Sequence, residues 1–259
     1  MRTLFEDEHQ AFRESFAAWV ANEVSPYYMD WERAGLAPRE MFASAGKYGF
    51  VGIAIPEEYG GGGSRDFRFN QVIAEELASA GIGGAGLGLT LHNDVCTPYF
   101  LEYCNDEQRR RWFPGIASGE LITAIAMTEP GTGSDLAGIA TTAVRDGDEY
   151  VLNGSKTFIT NGINSDIVIV AAKTDPSQRH TGMSLIVVER GTPGFERGRN
   201  LEKVGLHSQD TAELFFNDAA CRCPIVSVKR DTGSSTSRTT LPRSGCRSRS
   251  PGCRWRVRR

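Results

Sequence analysis

The apolar residues of this chain change their spacing near residues 119–121, and this change constrains the fold more than any other feature. From residue 5 to about residue 119 they recur every three or four positions, as at Phe12 and Phe16, which is typical of helices that bury one face. Afterwards, short β-branched and apolar runs alternate with turn residues such as those at 146–148. The sequence therefore predicts an α+β protein, with a helical domain followed by a β domain.

The same patterns predict the individual elements. Predicted helices include residues 38–48, 66–80, 89–103 and a last helix from about 105 to 114, which Asn105 and Gln108 begin with the spacing of a capping box. Predicted strands cover residues 122–127, 141–145, 150–152, 157–160, 167–173, 183–189 and 213–216. Several short strands at this spacing favour an antiparallel barrel or sandwich. We expect a helical domain at 1–120, a β domain at 121–222 and a disordered tail at 223–259.

The predicted tail differs from the rest of the chain in charge. Residues 1–220 contain 18 Lys and Arg against 31 Asp and Glu, whereas residues 221–259 contain 11 against 1, so balances of −13 and +10 give the net charge of −3. An Arg-rich tail can bind nucleic acid, but aromatic residues would be expected among the basic ones, and Trp255 stands alone there. We expect no nucleic-acid partner, although a non-enzymatic product with a basic binding tail stays open as an alternative.

Metal binding and membrane insertion are not expected from the sequence. Four of the six cysteines lie at or beyond Cys221, without a paired CxxC pattern or matching histidines, so we expect no metal. There is no apolar run of about 18 residues, and residues 1–4 lead directly into charged sequence. These features favour a cytoplasmic protein without a membrane anchor.

Two segments carry the residue types that a cofactor site needs. The first, AMTEPGTGSDLAG at 126–138, combines small residues that let backbone N–H groups approach a ligand with the hydroxyls of Thr128 and Ser134. A tight turn that requires glycine explains it equally well. The second, GSKTFITNG at 154–162, combines an aromatic ring with hydroxyl and amide groups, although it also fits a strand that ends in an Asn-Gly turn. Together they suit a planar aromatic cofactor, which needs an apolar face and a few polar edge contacts.

With GFVGIAIPEEYGG at 49–61 and LEKVGLHSQDTAELFF at 201–216, these segments resemble the acyl-CoA dehydrogenase family. The resemblance covers residues 4–222 in the family's order, and the last motif is most similar to the long-chain branch. It implies a helical N-terminal domain, a middle β domain and a C-terminal four-helix domain, with FAD between the β domain and those helices.

The resemblance also implies roles for individual residues. The implied cofactor-binding residues are Ile125, Met127, Thr128, Gly133, Ser134, Phe158, Ile159 and Thr160. Phe158 would cover the isoalloxazine ring, Thr160 would lie near its reactive nitrogen, and Ser134 would also contact the bound acyl-CoA. Thr181 would contact the CoA end, although its neighbour His180 also fits an ordinary exposed loop. Thr132 departs from the family pattern, which usually has a smaller residue there.

The implied reaction is the FAD-dependent α,β-dehydrogenation of acyl-CoA thioesters to trans-2-enoyl-CoA, as in fatty-acid β-oxidation. The implied partners are acyl-CoA, an electron-transferring flavoprotein that accepts the electrons, and further copies of the chain in a tetramer or dimer. The family's catalytic glutamate lies on the C-terminal helices, so no catalytic residue is assigned in this sequence. An acyl-CoA oxidase or nitroalkane-oxidase-like flavoenzyme is the alternative within the same fold.

The family pattern ends at Arg222, and we expect the remaining residues to be a frameshifted translation of the C-terminal domain. If one base is missing there, the shifted codons of residues 228–231 permit Glu-Glu-Gly, and those of residues 242–246 permit Gln-Glu-Arg-Leu. The second string would contain the catalytic glutamate. On this hypothesis the printed chain is a truncated and inactive product, and resequencing the DNA across the Arg222 codon decides the question.

Overall fold

The structure, a computed structural model, describes residues 4–175, 177, 182–221 and 224–226. Up to residue 118 these residues form α-helices, joined by short loops and two π-helical turns. The helices are α1 (Asp7–Trp19), α2 (Tyr28–Ala34), α3 (Arg39–Lys47), α4 (Arg68–Ser79), α5 (Gly83–Thr90), α6 (Thr97–Tyr103) and α7 (Asp106–Ser118). One π-helical turn, Val20–Val24, extends α1, and the other, Leu91–Cys96, joins α5 to α6.

Aromatic side chains from α1 and the loop after α3 form the centre of the helical domain. Phe16, Trp19 and Phe50 are buried, and the rings of Phe16 and Phe50 meet edge to face with centroids 4.9 Å apart. Phe12 packs against the same cluster. The apolar spacing predicted this buried face of α1, and the structure confirms it.

Helix α7 begins as predicted but ends later. The Asn105 side chain accepts a hydrogen bond from the backbone N–H of Gln108, and the Gln108 side chain accepts one from the backbone of Asn105. The predicted end at Pro114 is wrong, because the helix continues to Ser118 and stops at Gly119, which has a left-handed φ of 74°. Proline removes one helical hydrogen bond, but burial of side chains on both sides of it keeps the segment helical.

The rest of the described chain forms one curled sheet of eight strands. The strands are β1 (Thr123–Ala126), β2 (Thr142–Asp146), β3 (Glu149–Thr160), β4 (Ile167–Lys173), β5 (Met183–Glu189), β6 (Phe195–Asn200), β7 (Thr211–Cys221) and β8 (Pro224–Val226). Their order is β6-β7-β3-β2-β4-β5-β8, and β1 pairs with β4 away from this path. The buried side of the sheet contains Leu152, Val168 and Leu214.

The α+β class is confirmed, but three details of the predicted β domain are wrong. The sheet is mixed, because β1 enters it parallel to β4 instead of forming a hairpin. β3 joins two predicted strands, since the backbone continues through Gly154 at a φ of 146°. β6 was not predicted, because half of its sequence FERGRN is charged and it contributes only Phe195 to the core.

The sheet also extends into the predicted tail. Residues 224–226 pair with β5 as β8. The predicted disorder from residue 223 onward is therefore wrong for these three residues, which include the β-branched Ile225 and Val226. Residues 222–223 and 227–259 lie outside the described residues, and the hypotheses about them remain predictions. The division of the chain at residues 120 and 222 is retained as a proposal.

Polar side chains connect the two domains across their junction. The Asn161 side chain donates to the carbonyl oxygens of Gly88 at 3.2 Å and Thr123 at 3.1 Å, and its own backbone has a φ of 60°. Arg39 on α3 pairs with Asp166 at 2.8 Å. These hydrogen bonds and this ion pair therefore fix the helical domain against the β domain.

Candidate cofactor site

The two segments that the sequence indicated lie against each other. We call residues 127–141, which connect β1 to β2, the candidate loop. The backbone N–H of Thr157 on β3 donates to the carbonyl oxygen of Thr128 at 2.9 Å, and the Lys156 ammonium donates to the carbonyl oxygen of Met127 at 3.1 Å. The start of the candidate loop is therefore fixed directly to the strand that carries Phe158.

A buried ion pair lies at the base of the candidate loop. Lys156 Nζ is 2.8 Å from Glu129 Oε1, and the two residues are only 1% and 6% exposed. The Glu129 carboxylate also accepts hydrogen bonds from the backbone N–H groups of Ala140 at 2.6 Å and Thr141 at 3.0 Å. The Thr141 hydroxyl donates to it at 2.5 Å. One carboxylate thus ties the start of the loop to its end.

The electrostatics of this pair follow from burial and hydrogen bonding. Burial alone would raise the pKa of Glu129, but the donors from Lys156, Thr141 and Ala140 outweigh it and hold that pKa below its usual value. Burial lowers the pKa of Lys156, and the neighbouring carboxylate opposes this effect. The sequence analysis missed both residues, although a lysine among buried positions of a strand was a usable signal.

In the exposed part of the candidate loop, the backbone at Gly131 and Gly133 does not require glycine. Neither Gly131 nor Gly133 has a positive φ, and a Cβ added to either would meet no atom within 4 Å. The explanation that a tight turn requires glycine therefore fails at these two positions. Gly138 differs, because a Cβ there would come within 2.4 Å of the Thr132 hydroxyl. Ser134, the predicted substrate contact, is exposed next to Gly133.

Phe158 presents an aromatic ring beside this loop at a strained backbone position. Its φ is 58°, which costs free energy for any residue other than glycine, and 67% of the residue is exposed. The register between β3 and β7 shifts between Lys156 and Ile159, which allows this turn of the backbone. Backbone strain is often kept at functional sites, so this position is a candidate for ligand contact.

The remaining predicted residues divide between the site and the core. Met127, Thr128 and Thr160 are partly exposed near the contact of the two segments, and Ile125 is partly exposed between the core residues Ala124 and Ala126. Ile159 is 2% exposed and belongs to the sheet core, which leaves its backbone for a cofactor contact, and its predicted role stays a prediction. Thr181 lies outside the described residues.

One cluster within the described residues has spacing suited to a metal ion, formed by Glu6, Glu8 and His9. His9 Nδ1 accepts a hydrogen bond from the backbone N–H of Glu6 at 3.1 Å, so the neutral ring carries its proton on Nε2. That nitrogen faces Asp66 Oδ2 at 3.3 Å. A nitrogen that carries a proton is not a metal ligand, and this geometry assigns His9 to the start of α1.

A separate cleft of about 360 Å³ lies in the helical domain, lined by Phe67, Asn70, Asn93, Asp94 and Leu101 among others. Burial raises the pKa of Asp94 to about 6, against the effect of the hydrogen bond from Asn70. None of the residues that line this cleft belongs to the candidate loop.

In the described part of the chain, the helices are too short or too polar to cross a membrane.

The described chain has a helical domain, a curled mixed sheet and a glycine-rich loop after the first strand. Several known proteins share this fold. The sequence profile "Acyl-CoA dehydrogenase, N-terminal domain" matches residues 6–120, and "Acyl-CoA dehydrogenase, middle domain" matches residues 124–219. The chain belongs to the acyl-CoA dehydrogenase family, a family of oxidoreductases, as the resemblance predicted.

The similarity extends to individual relatives. The mitochondrial long-chain specific acyl-CoA dehydrogenase of Sus scrofa is 47% identical over 220 residues, which are 84% of this chain and 50% of that protein. The acyl-CoA dehydrogenase of Geobacillus kaustophilus superposes with a TM-score of 0.82 at 53% identity, over 85% of this chain and 58% of that one. A Bacillus anthracis acyl-CoA dehydrogenase complexed with FAD has a TM-score of 0.77 at 32% identity, over 85% and 37%. The chain spans about half the length of the curated relative it matches.

Proposed function

We propose that this protein functions, when its C-terminal domain is intact, as an FAD-dependent acyl-CoA dehydrogenase that converts acyl-CoA thioesters to trans-2-enoyl-CoA, and that the printed chain, which has no assigned catalytic glutamate, is inactive. The observation that carries the proposal is the contact between the candidate loop and the strand that presents Phe158. Phe158, which is largely exposed, directly follows the bonded residue Thr157, and the loop has open space at Gly131 and Gly133. A flat ring system with polar edges fits such a surface.

The residues present fit the flavin of FAD by their chemistry. The Phe158 ring offers an apolar face for stacking, while Thr128 and Thr160 offer hydroxyl groups for the polar edge. Met127 offers backbone groups beside them. When bound, FAD would supply the acceptor for the hydride that leaves the β carbon of the substrate. The residues of this chain would hold and orient that acceptor and would keep one of its faces away from water.

For the substrate we propose an acyl-CoA thioester, with Ser134 as a contact. Its exposed position in the candidate loop, next to Gly133, leaves its hydroxyl accessible to a ligand. Thr181 is retained as a proposed contact for the CoA end. The 47% identity to a long-chain specific relative favours long acyl chains.

We further propose an electron-transferring flavoprotein as the electron acceptor and a homo-oligomer, dimer or tetramer, as the working form. Both proposals rest on membership of the family. The cytoplasmic location is retained as a prediction from the sequence.

The proposal is tested by titrating the purified protein with FAD and following the flavin absorbance and fluorescence. We expect a bound flavin with a shifted spectrum, and a Phe158→Ala variant that binds it about fivefold more weakly, since an aromatic stacking contact is worth about 1 kcal/mol. The matched control is Val144→Ala, because Val144 is a similarly exposed apolar residue on β2. If FAD leaves the spectrum unchanged, or both variants bind equally, the proposed site is wrong.

The reaction is tested anaerobically by adding straight-chain acyl-CoA thioesters to the flavin-loaded protein. The printed chain, which has no assigned base, should keep the oxidised flavin spectrum, whereas a chain with the reading frame restored after Arg222 should lose it and form the enoyl thioester. Reoxidation by an electron-transferring flavoprotein would agree with a dehydrogenase, whereas rapid reoxidation by oxygen would indicate the oxidase alternative.

A further inference from the structure

We propose that the buried Lys156–Glu129 pair is a positioning device that shapes the candidate loop for flavin binding. The inference rests on the proposed function and extends it to two residues that do not themselves face the open side of the loop. Flavin affinity should therefore depend on the pair more strongly than the stability of the fold does.

Several hydrogen bonds of the loop end on one group, the Glu129 carboxylate. Glu129 lies near the start of the loop, whereas Ala140 and Thr141, whose backbone N–H groups donate to it, lie at the end. Lys156 adds two contacts from β3, one to the carboxylate and one to the carbonyl oxygen of Met127. Residues 130–139 are thus a closed loop whose two ends are fixed to each other and to the strand before Phe158.

The loop has further internal bonds, but they do not connect its two ends. The backbone N–H of Glu129 donates to the carbonyl oxygen of Thr132 at 2.8 Å, and the reverse bond measures 3.1 Å. The Asp135 side chain accepts from the N–H of Ala137 at 3.2 Å. These bonds shape single turns. Backbone bonds from Thr157 to Thr128 and from Lys173 to Thr141 fix each end to the sheet separately. Among the bonds described, those from Ala140 and Thr141 to Glu129 are the ones that connect the two ends directly, and Lys156 holds that carboxylate in place.

The apolar core of the sheet includes neither Lys156 nor Glu129. Ala124, Ala126, Leu152 and Leu214 are all completely buried and belong to one apolar cluster. Replacing both members of a buried ion pair by apolar side chains of similar size is often neutral for stability, whereas removing one member strands a buried charge. A double replacement should therefore keep the sheet, but it also removes the acceptor of the Ala140 and Thr141 donors, so the shape of the loop should be lost at a modest cost in stability.

The experiment compares the full chain with Lys156→Met, Glu129→Gln and the double variant Lys156→Met/Glu129→Met. The control is Val188→Ala, because Val188 is a completely buried residue of β5 in the same core and contacts neither end of the loop. For each protein we would measure the midpoint of thermal unfolding, the amide hydrogen exchange of residues 127–141, and the affinity and absorbance spectrum of bound FAD.

We expect the double variant to unfold at a midpoint no lower than that of Val188→Ala, with at least tenfold faster exchange at Ala140 and Thr141, at least tenfold weaker FAD binding and an altered flavin spectrum. Glu129→Gln should be intermediate, because one amide oxygen can still accept a hydrogen bond. Val188→Ala should lower the midpoint without a selective change in loop exchange or in the flavin spectrum.

The inference is overturned if the double variant exchanges its loop amides at the wild-type rate, or if FAD affinity falls only in proportion to the unfolding midpoint across all variants. Failure of the proposed function would look different, because the wild-type chain itself would then not bind FAD. In that case the hydrogen exchange of the loop would still decide whether the ion pair shapes it.

Discussion

Phe158 shows at the scale of a single residue how a binding position can oppose stability. Its ring is mostly exposed and its backbone lies in the left-handed region, so the folded chain gains little from it. Selection for stability alone would favour glycine at such a position. The strain is understandable if the ring serves a ligand.

We predict that Phe158→Gly separates stability from binding. Removing the Cβ relieves the left-handed strain, so the free energy of unfolding should stay the same or rise by up to about 1 kcal/mol. FAD binding should weaken about fivefold because the stacking ring is lost. Urea unfolding and flavin titration of the same preparation check both parts. A large loss of stability would show that the ring packs against the protein instead.

His92 is a second residue whose setting makes a testable prediction. Its Nε2 donates to the carbonyl oxygen of Ile116 at 3.0 Å, and its Nδ1 accepts from the backbone N–H of Thr123 at 3.3 Å. Complete burial lowers its pKa from 6.5 to about 4, against the opposing effect of the Ile116 bond. The folded chain therefore keeps the ring neutral where the unfolded chain has already bound a proton.

The sign of the pH effect follows from this difference. The contribution of His92 to stability is complete above pH 6.5 and is lost as the pH falls towards 4, by at most about 3 kcal/mol, because one pKa unit is worth about 1.4 kcal/mol. We predict that the stability difference between the wild type and His92→Gln shrinks over this range, as measured by urea unfolding. Asp94 titrates in both proteins, so its opposite contribution cancels. A difference that is constant with pH would contradict the assignment.

At the scale of elements, local signals were predictable and distant pairings were not. The capping box of α7 could be predicted because Asn105 and Gln108 are three residues apart. The Lys156–Glu129 pair joins residues 27 positions apart, and no periodicity indicates such a contact. The parallel entry of β1 was missed for the same reason. The candidate loop was found because its glycines and hydroxyls are contiguous in the sequence.

The start of α7 offers a prediction about an element. Replacing Asn105 by Ala removes the acceptor for the N–H of Gln108 and should cost about 1 kcal/mol of unfolding free energy. Glu107→Ala is the control, because Glu107 is exposed in the same helical turn and takes no part in the cap. Chemical denaturation of the two variants measures the difference. Equal stability would mean that the cap contributes nothing.

At the scale of the whole molecule, the junction between the domains decides how the chain unfolds. Asn161 is 1% exposed and reaches the helical domain through Gly88 and the start of the sheet through Thr123. Gln209 donates to its side-chain oxygen at 3.2 Å. One side chain therefore joins α5, β1 and the loop before β7.

We predict that Asn161→Ala destabilises both domains together. Loss of these buried bonds, with an alanine left in a left-handed conformation, should cost roughly 2–4 kcal/mol. Hydrogen exchange should accelerate equally in α5 and in β4, while Asn217→Ala, an exposed change on β7, should alter neither. If the helices and the sheet respond separately, the junction does not couple them.

The parallel pairing of β1 with β4 has a consequence for biosynthesis. Thr123–Ala126 align with Ile167–Val170, a partner that the ribosome makes more than forty residues later. Until that partner emerges, β1 has an unpaired edge in the nascent chain, and the glycine-rich segment after it has no fixed starting point. The helical half can fold during translation, whereas the surface proposed to hold the flavin must be among the last parts to form.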